Sequence, residues 1–134
     1  MKLWIDDVRP APDYKYTHCR SVNQTINFIE SMEHCLAIAI EKRKQFGPNA
    51  RPINTFGNNL SCTIQEFIND VTIELIDIDH DAGDYANDGG DYIKLLDWLE
   101  ETGRNYPIRI HSMNPVGREN MRAIIRRNGW TEVM

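Results

Sequence analysis

Thr72 to Asp81, TIELIDIDHD, is the stretch from which the fold of the chain is best predicted. It starts with a β-branched apolar run that is short enough for one buried strand and too short to cross a membrane. It ends in three ionisable residues, Asp79, His80 and Asp81. A buried strand that runs into carboxylates is costly unless a cation or hydrogen bonds compensate the charge. Because ligands of open α/β sheets bind at the carboxyl ends of the strands, we predict an active site at this strand end.

The alternation of side chains along a strand sorts these residues by face. Asp77, Asp79 and Asp81 are expected on one face and His80 on the other. Taken alone, Asp81 also suits a turn before Gly83. A role for this strand end in chemistry therefore needs support from other strands.

Two further predicted strands also end in polar side chains. The first strand, KLWID, delivers the adjacent acids Asp6 and Asp7, and a later strand, PIRIH, delivers His111 followed by Ser112. Adjacent acids repel each other, and a shared metal ion relieves that repulsion. A solvated turn in which Arg9 pairs with one of the acids is the alternative. The agreement among three strand ends favours one shared site.

Strand and helix patterns alternate along the chain, which favours a parallel sheet with helices on both faces. Apolar residues recur at helical spacing from Val22 to Lys44 and predict one long helix or two shorter ones. Further helices are predicted after a cap at Ser61 or Thr63, before Gly103 and after Pro115, and a last short strand or edge is predicted from Trp130 to Val133. The predicted fold is a flavodoxin-like sheet of about five strands in the order 2-1-3-4-5. That order brings the three polar strand ends into one crevice.

The helix predicted after Pro115 begins beside one of these strand ends. Its first backbone N–H groups, together with Arg118, form a natural seat for a phosphate group. Ser112 and Asn114 precede this helix, and Arg9 follows the first acid pair. We therefore expect Ser112, Asn114, Arg118 and Arg9 to bind the phosphate of a substrate.

The composition narrows the class of protein. The chain has 134 residues, 41% of them hydrophobic and 26% charged, as in ordinary globular domains. Its formal net charge of −5 argues against a general nucleic-acid-binding surface. The spacing of Cys19, Cys35 and Cys62 predicts reduced thiols, and the strand pattern directly after Met1 predicts no signal peptide. We expect a cytoplasmic protein with no membrane span.

Three strings of the sequence carry a resemblance to a known family. IDDVRPAP at the start, DIDHD in the middle and IHSMNPVGRENM near the end resemble the cyclic-phosphate-processing receiver family, a branch of the receiver-domain superfamily. The resemblance implies that Asp6, Asp7 and Asp79 hold magnesium, as the acids of receivers do. It also implies that Asp79 stands at the phospho-acceptor position and Ser112 at the Ser/Thr position.

The sequence departs from receivers at several places. No lysine follows the last strand, and a proline-rich loop replaces the helix expected after the first strand. Receivers also do not normally place His80, Asp81 and His111 around the acids. We expect one receiver-like domain over residues 1–134, with residues 34–69 as an insertion that is atypical of the family. These departures disfavour a phospho-switch and agree with the phosphoesterase role proposed for the family.

The leading hypothesis is metal-dependent hydrolysis of a phosphoester, such as a cyclic phosphate on a nucleotide or an RNA end. The candidate ligands of one or two divalent cations are the carboxylates of the strand ends, Asp6, Asp7, Asp79 and Asp81. His111 and His80 are candidates for general base and general acid, with Asp79 as the third catalytic residue. Magnesium fits the oxygen ligands, and a histidine ligand would favour manganese or zinc. The alternative is a non-catalytic receiver-like signalling or binding module with Asp79 as phospho-acceptor.

Overall fold

The structure is a computed structural model that describes residues 1–51 and 61–134. Internal contacts divide the chain into two compact units. One unit consists of Met1–Phe28 together with Ile73–Met134, and the other consists of Ile29–Thr72. Among the helices of the described ranges, none combines the length and the hydropathy that a membrane span requires.

A parallel sheet forms the centre of the first unit. Its strands are β1 (Lys2–Ile5), β2 (Tyr16–Cys19), β3 (Leu75–Ile78) and β4 (Ile108–Ile110), in the order β2-β1-β3-β4. The predicted flavodoxin-like parallel sheet is thus confirmed, with four strands in place of about five.

The predicted fifth strand is reduced to one bridge at the edge of the sheet. Glu132 pairs in parallel with Ile108 of β4, and the backbone N–H of Val133 donates to the carbonyl oxygen of Ile108 at 2.8 Å. The position beside β4 is the one that the predicted order requires. Because β4 is only three residues long, it offers little edge for a longer ladder.

Four helices accompany the strands in the described residues. They are α1 (Val22–Phe46), α2 (Ile64–Val71), α3 (Ile93–Glu101) and α4 (Pro115–Asn128), and a 3-10 turn spans Gly83–Asn87. The first of these is one continuous helix, which settles the choice that the sequence left open. The helices predicted before Gly103 and after Pro115 also form, as α3 and α4 on either side of β4.

The two faces of the sheet differ in chemistry. One face is apolar and carries residues with no exposed surface, Leu3, Ile5, Ile76, Ile78 and Ile108. The crossover helices α3 and α4 bury their own apolar residues in the same unit, among them Leu96 and Met121. The other face is polar, because Trp4, Asp77 and Arg109 are register partners on three neighbouring strands.

The second unit has a small core of its own. Ala39 of α1 and Ile64 and Ile68 of α2 are buried together, and the backbone N–H of Ile64 donates to the carbonyl oxygen of Ala50 at 2.7 Å. The predicted helix cap is present, since the Thr63 hydroxyl accepts from the third residue of α2. The prolines and glycines between Gln45 and Asn59 predict an irregular loop, and most of that segment lies outside the described residues. That residues 34–69 form an insertion in a single domain stays a prediction.

Candidate active site

Three carboxylates meet at the carboxyl end of the sheet. Asp6 follows β1 and Asp79 follows β3, and the two strands pair in register up to their last residues. The Asp79 backbone N–H donates to the carbonyl oxygen of Ile5 at 2.9 Å, which keeps the two strand ends adjacent. Oxygens of Asp6, Asp7 and Asp79 all lie within 4.8 Å of one another. The predicted strand-end cluster therefore exists for these three acids, and we call it the acid cluster.

Asp6 is the most buried member of the acid cluster, with no exposed surface. Burial alone would raise its pKa. Hydrogen bonds from the backbone N–H of Arg9, from His111 and from the backbone N–H of Val8 outweigh burial and, with the Arg9 charge, hold the pKa of Asp6 below its usual value. Asp6 is thus kept as a carboxylate inside the protein.

Asp7 is positioned by its neighbours on two loops. Its carbonyl oxygen accepts from the Arg20 guanidinium at 2.8 Å. Its carboxylate lies so close to Gly83 that a Cβ built there would stand 2.1 Å from Asp7 Oδ2. Gly83 has a φ of 56°, a conformation that side chains other than glycine rarely adopt. The glycine after the central strand therefore leaves room for a carboxylate of the acid cluster.

Arg9 lies between two members of the acid cluster. Its Nε donates to Asp6 Oδ2 at 3.0 Å, and its Nη2 pairs with Asp79 Oδ2 at 3.1 Å. Burial would lower the pKa of Arg9, but the two carboxylates raise it above its ordinary value. Arg9 was predicted as a ligand of the substrate phosphate, and in this structure its guanidinium compensates the acids.

His111 connects the acid cluster to a carboxylate on the polar face of the sheet. Its Nε2 lies 2.9 Å from Asp6 Oδ2, and its Nδ1 lies 2.7 Å from Asp77 Oδ1. The imidazole is also stacked on the Trp4 ring, with 3.8 Å between centroids and an interplanar angle of 0°. An imidazolium donates through both nitrogens, so its protonated form satisfies both carboxylates at once.

Asp77 is the residue of this site that reasoning from the sequence missed. It has no exposed surface, and its Oδ2 has no hydrogen-bond partner among the described residues. The nearest cation to that oxygen is Arg109, with 3.8 Å between Nη1 and Oδ2. The sequence held one indication that Asp77 belongs to the site, namely that it shares a strand face with Asp79. A carboxylate on that face can reach the side chains that follow β4.

His80 packs against α4, and its ring nitrogens are not among the ligand atoms that meet in the acid cluster. A Cβ at Gly117, in the first turn of that helix, would stand 2.4 Å from the His80 ring. His80 Nδ1 lies 2.9 Å from Asp81 Oδ1, while no hydrogen bond involves His80 Nε2 within the described chain. Asp81 is 62% exposed and lies outside the acid cluster. The structure thus places Asp81 as a partner of His80 rather than beside the other acids.

The residues predicted to seat a phosphate at the start of α4 are largely bonded to one another. The buried Ser112 hydroxyl accepts from the Asn114 backbone N–H at 3.1 Å. Asn114 caps the helix by accepting from the Gly117 N–H at 3.0 Å, and its carbonyl oxygen accepts from the Arg118 N–H. Of this turn, Val116 keeps an N–H without a partner in the described residues. Together with that N–H, the Arg118 side chain and the Asn114 amide nitrogen are donors of this turn that remain for a ligand within the described residues.

Comparison with models of protein families identifies a family that the chain matches. The family model described as the cyclic-phosphate processing receiver domain matches residues 51–127, more than half of the chain. The matched region contains Asp79, His80, His111 and Arg118, and it begins after the first acid pair. No curated protein and no solved structure matches the chain.

Proposed function

The chain belongs to the cyclic-phosphate processing receiver domain family, and on that premise we propose that it is a metal-dependent phosphoesterase. Its proposed substrate is a cyclic phosphate or a related phosphoester of a nucleotide or an RNA end. The observation that carries the proposal is the convergence of Asp6, Asp7 and Asp79 within 4.8 Å. Family membership by itself supports a phosphate-related role in signalling or processing, and the enzymatic activity is our inference.

The acid cluster suits a divalent cation by the chemistry of its donors. All three are carboxylates, and hard cations such as magnesium and manganese prefer oxygen ligands. Gly83 leaves space at the Asp7 carboxylate that any larger residue would fill. A cation held by Asp6, Asp7 and Asp79 would polarise the phosphoryl oxygen and lower the pKa of a water.

His80 is the candidate for proton transfer. The Asp81 carboxylate accepts a hydrogen bond from His80 Nδ1, which fixes the imidazole ring. His80 Nε2 is then left to exchange a proton with the substrate or with water. The contact with Gly117 holds the ring against the first turn of α4, close to the donors of Asn114 and Arg118. We assign His80 the general acid or base role and Asp81 the role of orienting it.

His111 takes a different role in this proposal. Both of its ring nitrogens already contact carboxylates, Asp6 on one side and Asp77 on the other. It is therefore a positioning residue that fixes the Asp6 carboxylate as a metal ligand. Once a cation compensates the acids, the Arg9 guanidinium can bind a phosphate of the substrate in place of the carboxylates.

A hydrolysis panel with purified protein tests the proposal. Cyclic mononucleotides, RNA with a terminal cyclic phosphate and a generic phosphodiester would each be incubated with magnesium, manganese or zinc. We expect metal-dependent turnover of at least one substrate, abolished in Asp79→Ala and strongly reduced in His111→Ala. Absence of turnover with every metal, together with a stable acyl phosphate on Asp79 from a small phosphodonor, would instead support the non-catalytic receiver-like module.

A further inference from the structure

We propose that an arginine-rich groove beside α4 binds the phosphodiester backbone of a single-stranded RNA whose end is processed at the acid cluster. The groove has a volume of about 200 Å³ and lies among β4, α4 and the segment that bridges to β4. The identity of the RNA end rests on the proposed function, whereas backbone binding can be measured independently of hydrolysis.

The side chains that line the groove carry a positive net charge, although the chain carries a net charge of −5. Arg109, Arg118 and Arg122 line the groove, and Glu132 is its acidic residue. Arg122 Nε donates to Glu132 Oε1 at 2.7 Å, so one arginine is already compensated.

The other two arginines are less compensated than Arg122. Arg109 makes a long ion pair with the buried Asp77, with 3.8 Å between Arg109 Nη1 and Asp77 Oδ2, and its side chain is 47% exposed. Arg118 makes no side-chain ion pair with the described residues. Planar guanidinium groups of this kind bind phosphate oxygens through paired hydrogen bonds.

The groove adjoins the candidate active site along the chain at two elements. Ile110, the last residue of β4, lines the groove, and His111 of the site follows it directly. Arg118 lies in the groove one turn after Asn114, the cap of α4. An RNA whose terminal phosphoester lies at the acid cluster can therefore place a neighbouring phosphate at the arginines.

The location explains how an acidic protein can select a nucleic-acid end. Neutralising one or two phosphates requires only a few arginines, and the rest of the surface repels long nucleic acid. A cyclic mononucleotide has no neighbouring phosphate and gains nothing from the groove. The proposal thus names RNA ends as the preferred members of the proposed substrate class.

Two substitutions that break the same ion pair distinguish the proposal from a structural effect. Arg122→Gln removes one arginine of the groove, and Glu132→Gln removes the acid that competes with phosphate for that arginine, yet both abolish the Arg122–Glu132 pair. The probe is a short fluorescein-labelled single-stranded RNA without a cyclic phosphate, and its binding is followed by fluorescence anisotropy across a range of salt concentrations.

We expect Arg122→Gln to weaken RNA binding about tenfold and to reduce the slope of log affinity against log salt by about 0.7. Glu132→Gln should tighten binding, and a mononucleotide should not compete with the RNA. Turnover of a cyclic mononucleotide should be the same in both variants as in the unmodified chain. If the unmodified chain turned over no substrate of the panel, the proposed function would fail while the binding result stood.

The opposite results would overturn the groove as an RNA site. These are unchanged RNA affinity in Arg122→Gln, changes of the same sign in both variants, or full competition by a mononucleotide. The last result would identify a simple phosphate site in place of a backbone site.

Discussion

Asp77 and His111 form a buried pair beneath the acid cluster. His111 is 11% exposed and Asp77 is 1% exposed, so neither group is screened strongly by water. A charged group left without its partner in such a place is costly, whereas an apolar replacement of both is often tolerated. The pair therefore belongs to the stability of the site as much as to its chemistry.

A double-mutant cycle measures this coupling. We expect His111→Leu to lower the free energy of unfolding by about 3–5 kcal/mol, because it leaves the buried Asp77 carboxylate without its partner. The variant with both His111→Leu and Asp77→Leu should lose less than the sum of the two single losses, by about 1–3 kcal/mol. Urea unfolding of the four proteins gives the values. Strictly additive losses would show that the two side chains do not interact.

Gly83 provides a second test of single residues. Gly83→Ala should push the Asp7 carboxylate away, since the added Cβ would stand 2.1 Å from Asp7 Oδ2. We expect weaker binding of manganese in calorimetric titrations. Gly103→Ala is the matched control, because Gly103 also has a positive φ, of 69°, and nothing lies within 4 Å of the position that its added methyl group would take. Equal loss of metal affinity in both variants would contradict the role of Gly83.

At the scale of elements, an ion pair joins the ends of α3 and α4. Arg127 Nε and Nη2 donate to the two oxygens of Glu100, each at 2.7 Å, and the Asn128 amide also donates to Glu100. The hydrogen bonds from Arg127 and Asn128 lower the pKa of Glu100 to about 2. The two helices that follow β3 and β4 are thereby linked at their carboxyl ends.

This pair predicts an acid-dependent contribution to stability. The folded pKa of about 2 lies below the ordinary value of 4.5, so the unfolded chain binds the proton first as pH falls. The contribution is present above pH 4.5 and is lost as pH falls toward about 2. Glu100→Gln should flatten the stability profile in that window, and Glu101→Gln, which removes a neighbouring charge, should not. Parallel profiles for all three proteins in urea unfolding would contradict the link.

Local signals predicted most elements well. Three local signals act over a few residues, so they can be recognised without knowing the fold: the cap residue Thr63, Pro115 at the first position of α4 and the terminating Gly103. The fifth strand was overestimated, because pairing depends on the length of the neighbouring edge. Three residues in β4 leave Glu132 with a single bridge.

At the scale of the whole molecule, topology made the acid cluster predictable. A parallel sheet in the order 2-1-3-4 places the ends of β1 and β3 side by side, and Asp6, Asp7 and Asp79 follow from that order alone. Side-chain direction beyond the strands was not predictable. Asp81 pairs with His80, and the Asn114 side chain accepts from the Gly117 N–H in the first turn of α4, because loop geometry decides both.

The central claim is that the acid cluster holds a divalent cation for phosphoester hydrolysis. Its most direct test is the initial rate on the best substrate of the panel, titrated with metal from a chelated start. We predict no rate with chelator, saturation as metal is added, and no recovery at any metal concentration in Asp79→Asn, whereas Asp84→Asn behaves as the unmodified chain. A full rate in the presence of chelator, or metal-dependent turnover in Asp79→Asn equal to that of the unmodified chain, would contradict the claim.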